Sequence, residues 1–195
     1  TGSLSIEYQN NIINLTPPFS KIKMTDLVKE HTGVDFDLIT DFDKALAEAK
    51  KLDINVEKGW GIGKIIEEAF SQYVEDKLIQ PTFVTHHPTE ISPLAKKDPS
   101  DPRYTQRFEL FINGKEYSNG FCELNDPIDQ KERFLAQIAK KELGDEETHP
   151  YDKDFINALE VGLPPTGGVG VGIDRLVMLL SAQDTIRDVI LFPTM

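Results

Sequence analysis

Cysteine and positive charge are both scarce in this 195-residue sequence. Cys122 is the only cysteine, which excludes an intrachain disulfide and a cysteine-built zinc site and fits a reducing compartment. Lysine and arginine number 21 against 33 aspartates and glutamates, and the net charge of −12 argues against a general nucleic-acid-binding surface. The sequence has no signal-like start and no apolar run of spanning length, so we expect a cytoplasmic protein without a membrane partner.

Glycine is concentrated near the end of the sequence, where Gly168, Gly170 and Gly172 alternate with valine and isoleucine. Successive side chains of a strand point to opposite faces, so this pattern predicts one apolar face and one face without side chains. From Ile173 onward the apolar residues recur at helical spacing, which places Arg175 in the first turn of a helix, where anions are favoured. A nucleotide fits this pattern, with its base on the glycines. A glycine-rich strand packed on a neighbour, with Arg175 on the surface, fits it equally well.

Three other patterns that suggest ligands are rejected. A dinucleotide fingerprint beginning at Gly168 would need glycine at position 173. The run from Lys58 to Lys64 lacks the first glycine of a phosphate-binding loop, and no serine or threonine follows it. It predicts a tight entry to a helix instead. His86 and His87 are adjacent, would face opposite ways in a strand, and have no other metal ligands nearby, which favours a loop role.

Two predicted strands carry a pair of acidic side chains. Residues 107–112 and 115–124 are joined by Asn113-Gly114, the strongest short signal of a hairpin. A two-residue turn pairs Phe111 with Glu116, so Glu109 and Glu116 share one face diagonally and lie near enough to hold one divalent cation. On spacing alone, an exposed sheet face with ordinary glutamates is the preferred interpretation.

Strict alternation along the second strand separates the candidate polar groups. Asn119 and Glu123 then fall on the face opposite to Glu109 and Glu116. Bringing all four side chains into one pocket requires a β-bulge, for which residues 118–120 are a suitable place.

The remaining pattern is mainly helical. Helices are predicted at residues 42–52, 64–79 and 152–160, strands at residues 82–85 and 189–192, and a long proline-rich loop at residues 88–102.

Three segments resemble one enzyme family. The sequence Gly-Val-Gly-Val-Gly-Ile-Asp-Arg-Leu at residues 168–176 resembles motif 3 of the class II aminoacyl-tRNA synthetases. Residues 185–193 and residues 107–125 resemble the lysyl-tRNA synthetases within that class, and the similarity extends over nearly the whole chain. The resemblance implies an α+β fold: part of an antiparallel sheet flanked by helices. It places a small helical insertion at residues 21–80, and the sheet and motif 3 helix at residues 81–195.

The resemblance also implies an ATP site. Glu109 and Glu116 would bind the Mg²⁺ that accompanies ATP. Gly170 and Gly172 would lie against the nucleotide, and Arg175 would be the catalytic residue that holds the γ-phosphate.

For the amino acid, the resemblance implies that Asn119 contacts lysine, that Glu123 pairs with its side-chain ammonium, and that Gly172 forms the floor of the pocket. A buried ammonium needs a charge partner, and leaving Glu123 unpaired would penalise uncharged competitors.

The family reaction joins lysine to ATP as lysyl-adenylate and then transfers lysine to tRNA(Lys), and the intact enzyme is a homodimer. This sequence lacks motif 1, which carries much of the dimer interface, and motif 2, which carries an arginine for the α-phosphate. It also lacks an anticodon-binding domain and begins with Thr1, so we expect an excised piece. Loss of one preorganised electrostatic donor costs about 3–4 kcal/mol of transition-state stabilisation. The isolated chain is therefore expected to be inactive.

Two alternative functions are compatible with the same residues. One is a stand-alone relative such as the ligase that lysylates elongation factor P. The other is a non-catalytic regulatory module of the same fold, against which the intact Glu109, Glu116, Glu123 and Arg175 argue.

Overall fold

The structure, a computed structural model, describes residues 2–142 and 151–193. Its strands are β1 Ser5–Tyr8, β2 Asn11–Asn14, β3 Ser20–Lys23, β4 Thr82–Thr85, β5 Arg107–Ile112, β6 Lys115–Cys122 and β7 Gly167–Val171. Its α-helices are α1 Met24–Thr32, α2 Phe42–Lys51, α3 Ile62–Tyr73, α4 Pro127–Glu142, α5 Lys153–Val161 and α6 Ile173–Ser181. No helix within the described ranges is both long and apolar enough to cross a membrane.

Five strands form the main sheet, in the order β3-β4-β5-β6-β7, while β1 and β2 form a separate hairpin. The pairs β4-β5, β5-β6 and β6-β7 are antiparallel, and β3 pairs with β4 in parallel. The predicted α+β class is therefore confirmed. The parallel edge strand, which lies within the segment expected to be helical, was not predicted.

Helices α1, α2 and α3 cover one face of the sheet at its β3–β5 end. Their apolar stripes meet in one core, where the ring of Phe70 in α3 contacts Phe111 of β5 edge-on, with ring centroids 5.5 Å apart. Asp41 caps α2 by accepting a hydrogen bond from the Lys44 amide. The helix predicted at residues 64–79 begins earlier, at Ile62, and ends at Tyr73; a 3-10 turn follows at Glu75–Lys77.

The glycine-rich entry to α3 is bound by a carboxylate from elsewhere in the chain. Glu90, in a 3-10 turn at Thr89–Ile91, accepts hydrogen bonds of 2.8 Å from the amides of Gly61 and Gly63. A Cβ on either glycine would lie within 3.0 Å of Glu90 atoms. The predicted tight helix entry is confirmed, and the anion that its free amides favour is the protein's own Glu90.

A second, smaller core lies on the opposite face of the sheet. There the β1-β2 hairpin packs through Tyr8 and Ile13 against Ile112 and Tyr117 of the sheet and Leu179 of α6. This core holds α6 against the second face of the acidic hairpin, which β5 and β6 form.

The apolar side of β7 and α6 is largely exposed. Val169 and Ile173 are 67% and 61% exposed, although the sequence pattern predicts an apolar face at these positions. The strand predicted at residues 189–192 does not form, since the chain makes a 3-10 turn at Ile186–Asp188 and then continues irregularly. That prediction was wrong: Leu191 and Phe192 are about 90% exposed and belong to neither sheet.

Candidate active site

The hairpin register brings two glutamates to the same face of the sheet. Asn113 and Gly114 both have positive φ angles, as a type I′ turn requires, and this turn pairs Phe111 with Glu116 as predicted. Glu109 lies two residues before Phe111 in β5 and so shares its face, which puts its side chain diagonally across from Glu116. Both line one cavity of about 340 Å³ between α3 and the sheet.

A bulge in β6 also brings Asn119 to this face. The pairing shifts after Phe111–Glu116, so that Leu110 pairs with Ser118 and Glu109 pairs with Asn119, leaving Tyr117 as the extra residue. The predicted bulge is present, but at Tyr117 instead of residues 118–120. Tyr117 is drawn to the other face by the second core, where its side chain is 5% exposed.

The glycine ribbon lies directly beside the acidic hairpin. Gly170 pairs with Asn119 and Gly168 with Phe121, so both glycines face the side of the sheet that carries Asn119. A Cβ on Gly170 would find its nearest atom only at 3.8 Å, the carbonyl oxygen of Asn119. The predicted bare strip is therefore open above Gly170 and continuous with the glutamate face.

Glu123 closes the far end of the bare strip. It follows the last residue of β6, and its amide donates a 2.9 Å hydrogen bond to Thr166. A Cβ on Gly168 would overlap Glu123 Oε1, which shows that the carboxylate bends over that glycine. Glu123 therefore lies on the same face as Asn119, two strand positions beyond Phe121.

The main chain of the bulge anchors the start of α6. Gly172, the residue before the helix, donates its amide to the carbonyl oxygen of Tyr117 at 2.8 Å. Arg175, in the first turn of α6, donates a hydrogen bond to the carbonyl oxygen of Glu116. Arg175 is thus beside Glu116, but the described residues that line the glutamate cavity do not include it.

Burial and charge act in opposite directions on Glu109. Only 14% of its side chain is exposed, and desolvation raises its pKa, as does the neighbouring Glu116. Arg107 opposes this shift by donating a 2.6 Å hydrogen bond from Nη2 to Glu109 Oε1. The carboxylate is held by one cation and keeps its second oxygen, Oε2, for another partner.

His87 forms part of the same wall as a neutral side chain. Burial lowers its pKa to about 3, with a further contribution from the charge of Arg107. Its Nε2 lies 3.2 Å from the carbonyl oxygen of Val84, an acceptor, so we assign the proton to Nε2. The same nitrogen is 4.0 Å from Glu109 Oε2. The predicted loop role of the histidine pair agrees with His86, whose φ of 57° lies outside strand geometry.

Several residues of this cavity were not predicted from the sequence. Arg107 could have been found, because it is two residues before Glu109 in the same strand and so shares its face. Three glutamates in α3 and the 3-10 turn after it could not have been found from the sequence. Their position in the cavity wall depends on how the helix packs on the sheet. They are Glu67, Glu68 and Glu75, with Lys64 beside Glu67 at 2.8 Å.

The side chains present fit a metal ion that arrives with a substrate. No group of three or more His, Cys, Asp or Glu side chains within residues 2–142 and 151–193 is placed to hold a metal by itself. Mg²⁺ needs only one or two carboxylates when phosphate groups and water supply its other ligands. Glu116 and the Oε2 atom of Glu109 provide such a pair in one cavity.

The bulged acidic hairpin, the glycine strip and the arginine at the start of α6 lie next to one another in the structure. Residues 3–195 match the family model described as tRNA synthetases class II (D, K and N), and the chain belongs to this family. Its curated relatives include lysine–tRNA ligases from Lactococcus lactis subsp. cremoris, Leuconostoc mesenteroides and Thermoanaerobacter pseudethanolicus, which are 59%, 57% and 55% identical to it over 195, 195 and 194 residues. These alignments cover all of this chain, but the chain spans only about 40% of the length of the curated relatives it matches.

Proposed function

We propose that this chain is part of the catalytic domain of a lysine–tRNA ligase, which activates lysine with ATP to lysyl-adenylate and transfers it to tRNA(Lys). The observation that supports this most is the bulge at Tyr117, which puts Asn119 on the same face as Glu109 and Glu116, next to the bare strip of β7. Relatives named lysine–tRNA ligase are 55–59% identical across the whole chain. No observation favours the elongation factor P ligase or the non-catalytic module.

For ATP, the proposal assigns Glu109 and Glu116 to the Mg²⁺ that accompanies the triphosphate. The cavity wall carries five glutamates against two cationic side chains, which would repel a bare triphosphate. A divalent cation between the phosphates and these carboxylates removes that repulsion and supplies charge stabilisation when it is bound.

The remaining ATP contacts come from β7 and α6. The proposal places the base or ribose against Gly170 and Gly172, which carry no side chains, and assigns the γ-phosphate to Arg175 as the catalytic arginine. The bond from Arg175 to the main-chain carbonyl oxygen of Glu116 restrains the guanidinium, so less ordering is needed when the phosphate arrives.

For lysine, the proposal assigns Glu123 to the side-chain ammonium, Asn119 to the amino acid, and Gly172 to the floor of the pocket. Glu123 bends over Gly168, where the absence of a side chain leaves room for it. Attack of the lysine carboxylate on the α-phosphate needs no protein nucleophile, so positioning and charge are the contributions required of these residues.

In this proposal residues 21–80 form an insertion, and residues 81–195 form the sheet and the motif 3 helix of a larger catalytic domain. Segments equivalent to motifs 1 and 2 and an anticodon-binding domain complete the protein, which acts as a homodimer in the cytoplasm, where tRNA is aminoacylated. The exposed apolar side of β7 and α6 is consistent with a larger domain. The chain alone is expected to be inactive.

ATP–pyrophosphate exchange by the longer protein that contains this chain tests the proposal. Exchange should depend on lysine when each of the twenty amino acids is offered separately, and tRNA(Lys) should then be charged. Glu116→Gln should reduce exchange at least about a hundredfold, as expected for loss of one preorganised electrostatic contact. Lysine-independent exchange, or dependence on a different amino acid, would contradict the proposal.

A further inference from the structure

One arginine connects the two strands of the acidic hairpin to the loop that follows β4. Arg107 donates from Nε to Asn119 Oδ1 at 3.2 Å and from Nη2 to Glu109 Oε1 at 2.6 Å. Its Nη1 donates to the carbonyl oxygen of Ile91 at 3.2 Å and to Ser92 Oγ at 2.9 Å. With 17% of the side chain exposed, the guanidinium is held on three sides at once.

The same side chain separates two cavities. The glutamate cavity of about 340 Å³ lies on one side, and a cavity of about 180 Å³, lined by Asn119, Phe121 and Leu94 among others, lies on the other. Arg107 is the residue that the two linings share. It therefore stands between the space assigned to the metal and triphosphate and the space beside Asn119.

The contact with Arg107 also determines which way the Asn119 amide points. A guanidinium only donates, so the amide oxygen of Asn119 must be the atom turned toward Arg107, and its NH₂ group is turned the other way. Arginine suits this task because its planar fork holds several acceptors in fixed directions. A lysine would supply the charge but not the fork.

We infer that Arg107 is a positioning residue: anchored by Glu109, Ser92 and Ile91, it fixes the Asn119 amide so that its NH₂ group faces the amino-acid side of the site. The inference rests on the proposed function, since it takes lysine as the ligand of Asn119. Arg107 acts through Asn119 and need not touch the reacting atoms.

Kinetics of the longer protein test the inference through Arg107→Lys. This variant keeps the positive charge beside Glu109 but loses the fork, so the KM for lysine should rise about tenfold, and by more than the KM for Mg·ATP. Asn119→Ala should raise the KM for lysine at least as much. The double variant should then be no worse than Asn119→Ala alone, because the two residues act as one unit.

Arg103→Lys is the matched control. Arg103 also pairs with a carboxylate, Asp101, and donates to a main-chain carbonyl, that of Asp37, but it lines neither cavity. Its substitution should leave both KM values unchanged. An Arg107→Lys variant with a lower melting temperature but an unchanged KM for lysine would show a merely structural role, and additive effects of Arg107→Lys and Asn119→Ala would equally overturn the inference.

A spectroscopic readout keeps the inference separate from the proposed function. With asparagine labelled by ¹⁵N in the longer protein, the side-chain NH₂ resonances of Asn119 should move toward those of an unrestrained amide in Arg107→Lys and stay in place in Arg103→Lys. If no lysine-dependent exchange occurs, the proposed function fails, and the Asn119 resonances alone decide the position of its amide. Unmoved resonances in Arg107→Lys would refute the inference.

Discussion

Gly120 lies where the ring of Phe108 crosses strand β6, and replacing it with alanine is expected to destabilise the sheet. A Cβ at this position would lie 2.6 and 2.7 Å from Cζ and Cε1 of the ring and 2.9 Å from the carbonyl oxygen of Gly168. Two of these contacts are with a ring packed at 5.4 Å against Phe83, and the third is with the main chain of β7, so neither can withdraw freely.

Overpacking of this kind costs about 1–3 kcal/mol. Gly170→Ala is the matched control, since Gly170 is also a strand glycine but its Cβ would meet nothing nearer than 3.8 Å. Both substitutions gain the same small stabilisation from a stiffer unfolded chain, about 0.4–1 kcal/mol, so the difference between them isolates the steric effect. Urea denaturation of this chain, followed by circular dichroism, measures that difference.

The free energy of unfolding of Gly120→Ala should lie about 1–3 kcal/mol below that of Gly170→Ala, which corresponds to roughly 2–4 °C in melting temperature for each kcal/mol. If the two variants unfold within about 0.5 kcal/mol of each other, the close approach of β6, Phe108 and β7 is not as the structure has it. The register that brings Asn119 beside Gly170 would then lose its support.

Three further substitutions test other parts of the structure. The pKa of buried His87 is about 3, below its ordinary value of 6.5. Below about pH 6.5 the unfolded chain therefore binds a proton that the folded chain does not, and stability is lost as the pH falls. This group alone should remove about 2 kcal/mol of unfolding free energy between pH 7 and pH 5, and His87→Asn should flatten the urea-midpoint profile accordingly; an unchanged profile would mean that His87 titrates normally. Tyr104→Phe should cost about 1–2 kcal/mol in urea denaturation because it removes a 2.6 Å hydrogen bond from a buried hydroxyl to Asp37 Oδ1, and no loss would show that the bond does not form in solution. Glu90→Gln should lower the free energy of unfolding by about 1 kcal/mol in the same assay, since it weakens the cap at the Gly61 and Gly63 amides, and a neutral result would place the cap of α3 elsewhere.

Local signals predicted the part of the candidate site that depends on nearby residues. The Asn113-Gly114 turn sets the pairing of Phe111 with Glu116, because a two-residue turn with positive φ angles allows little choice of register. The change from period two to helical spacing at Ile173 likewise located the start of α6. These features need no information about distant packing.

The rest of the candidate site and of the fold depends on contacts between residues far apart in the sequence. The bulge lies at Tyr117 because that side chain packs with Tyr8 and Ile13, about a hundred residues earlier, which no local pattern reveals. The wall that α3 contributes and the parallel strand β3 follow from how the helices pack on the sheet. Composition alone suggested residues 118–120 for the bulge, where Gly120 in fact makes room for Phe108.

We propose that Glu109 and Glu116 hold one metal ion at the triphosphate of ATP, on the face to which the bulge also brings Asn119. Crystals of the longer protein grown with a non-hydrolysable ATP analogue and Mn²⁺ in place of Mg²⁺ test it by anomalous scattering. We predict a manganese peak within about 2.5 Å of a carboxylate oxygen from each glutamate, beside the phosphates. A nucleotide bound with its metal away from both carboxylates would contradict the account.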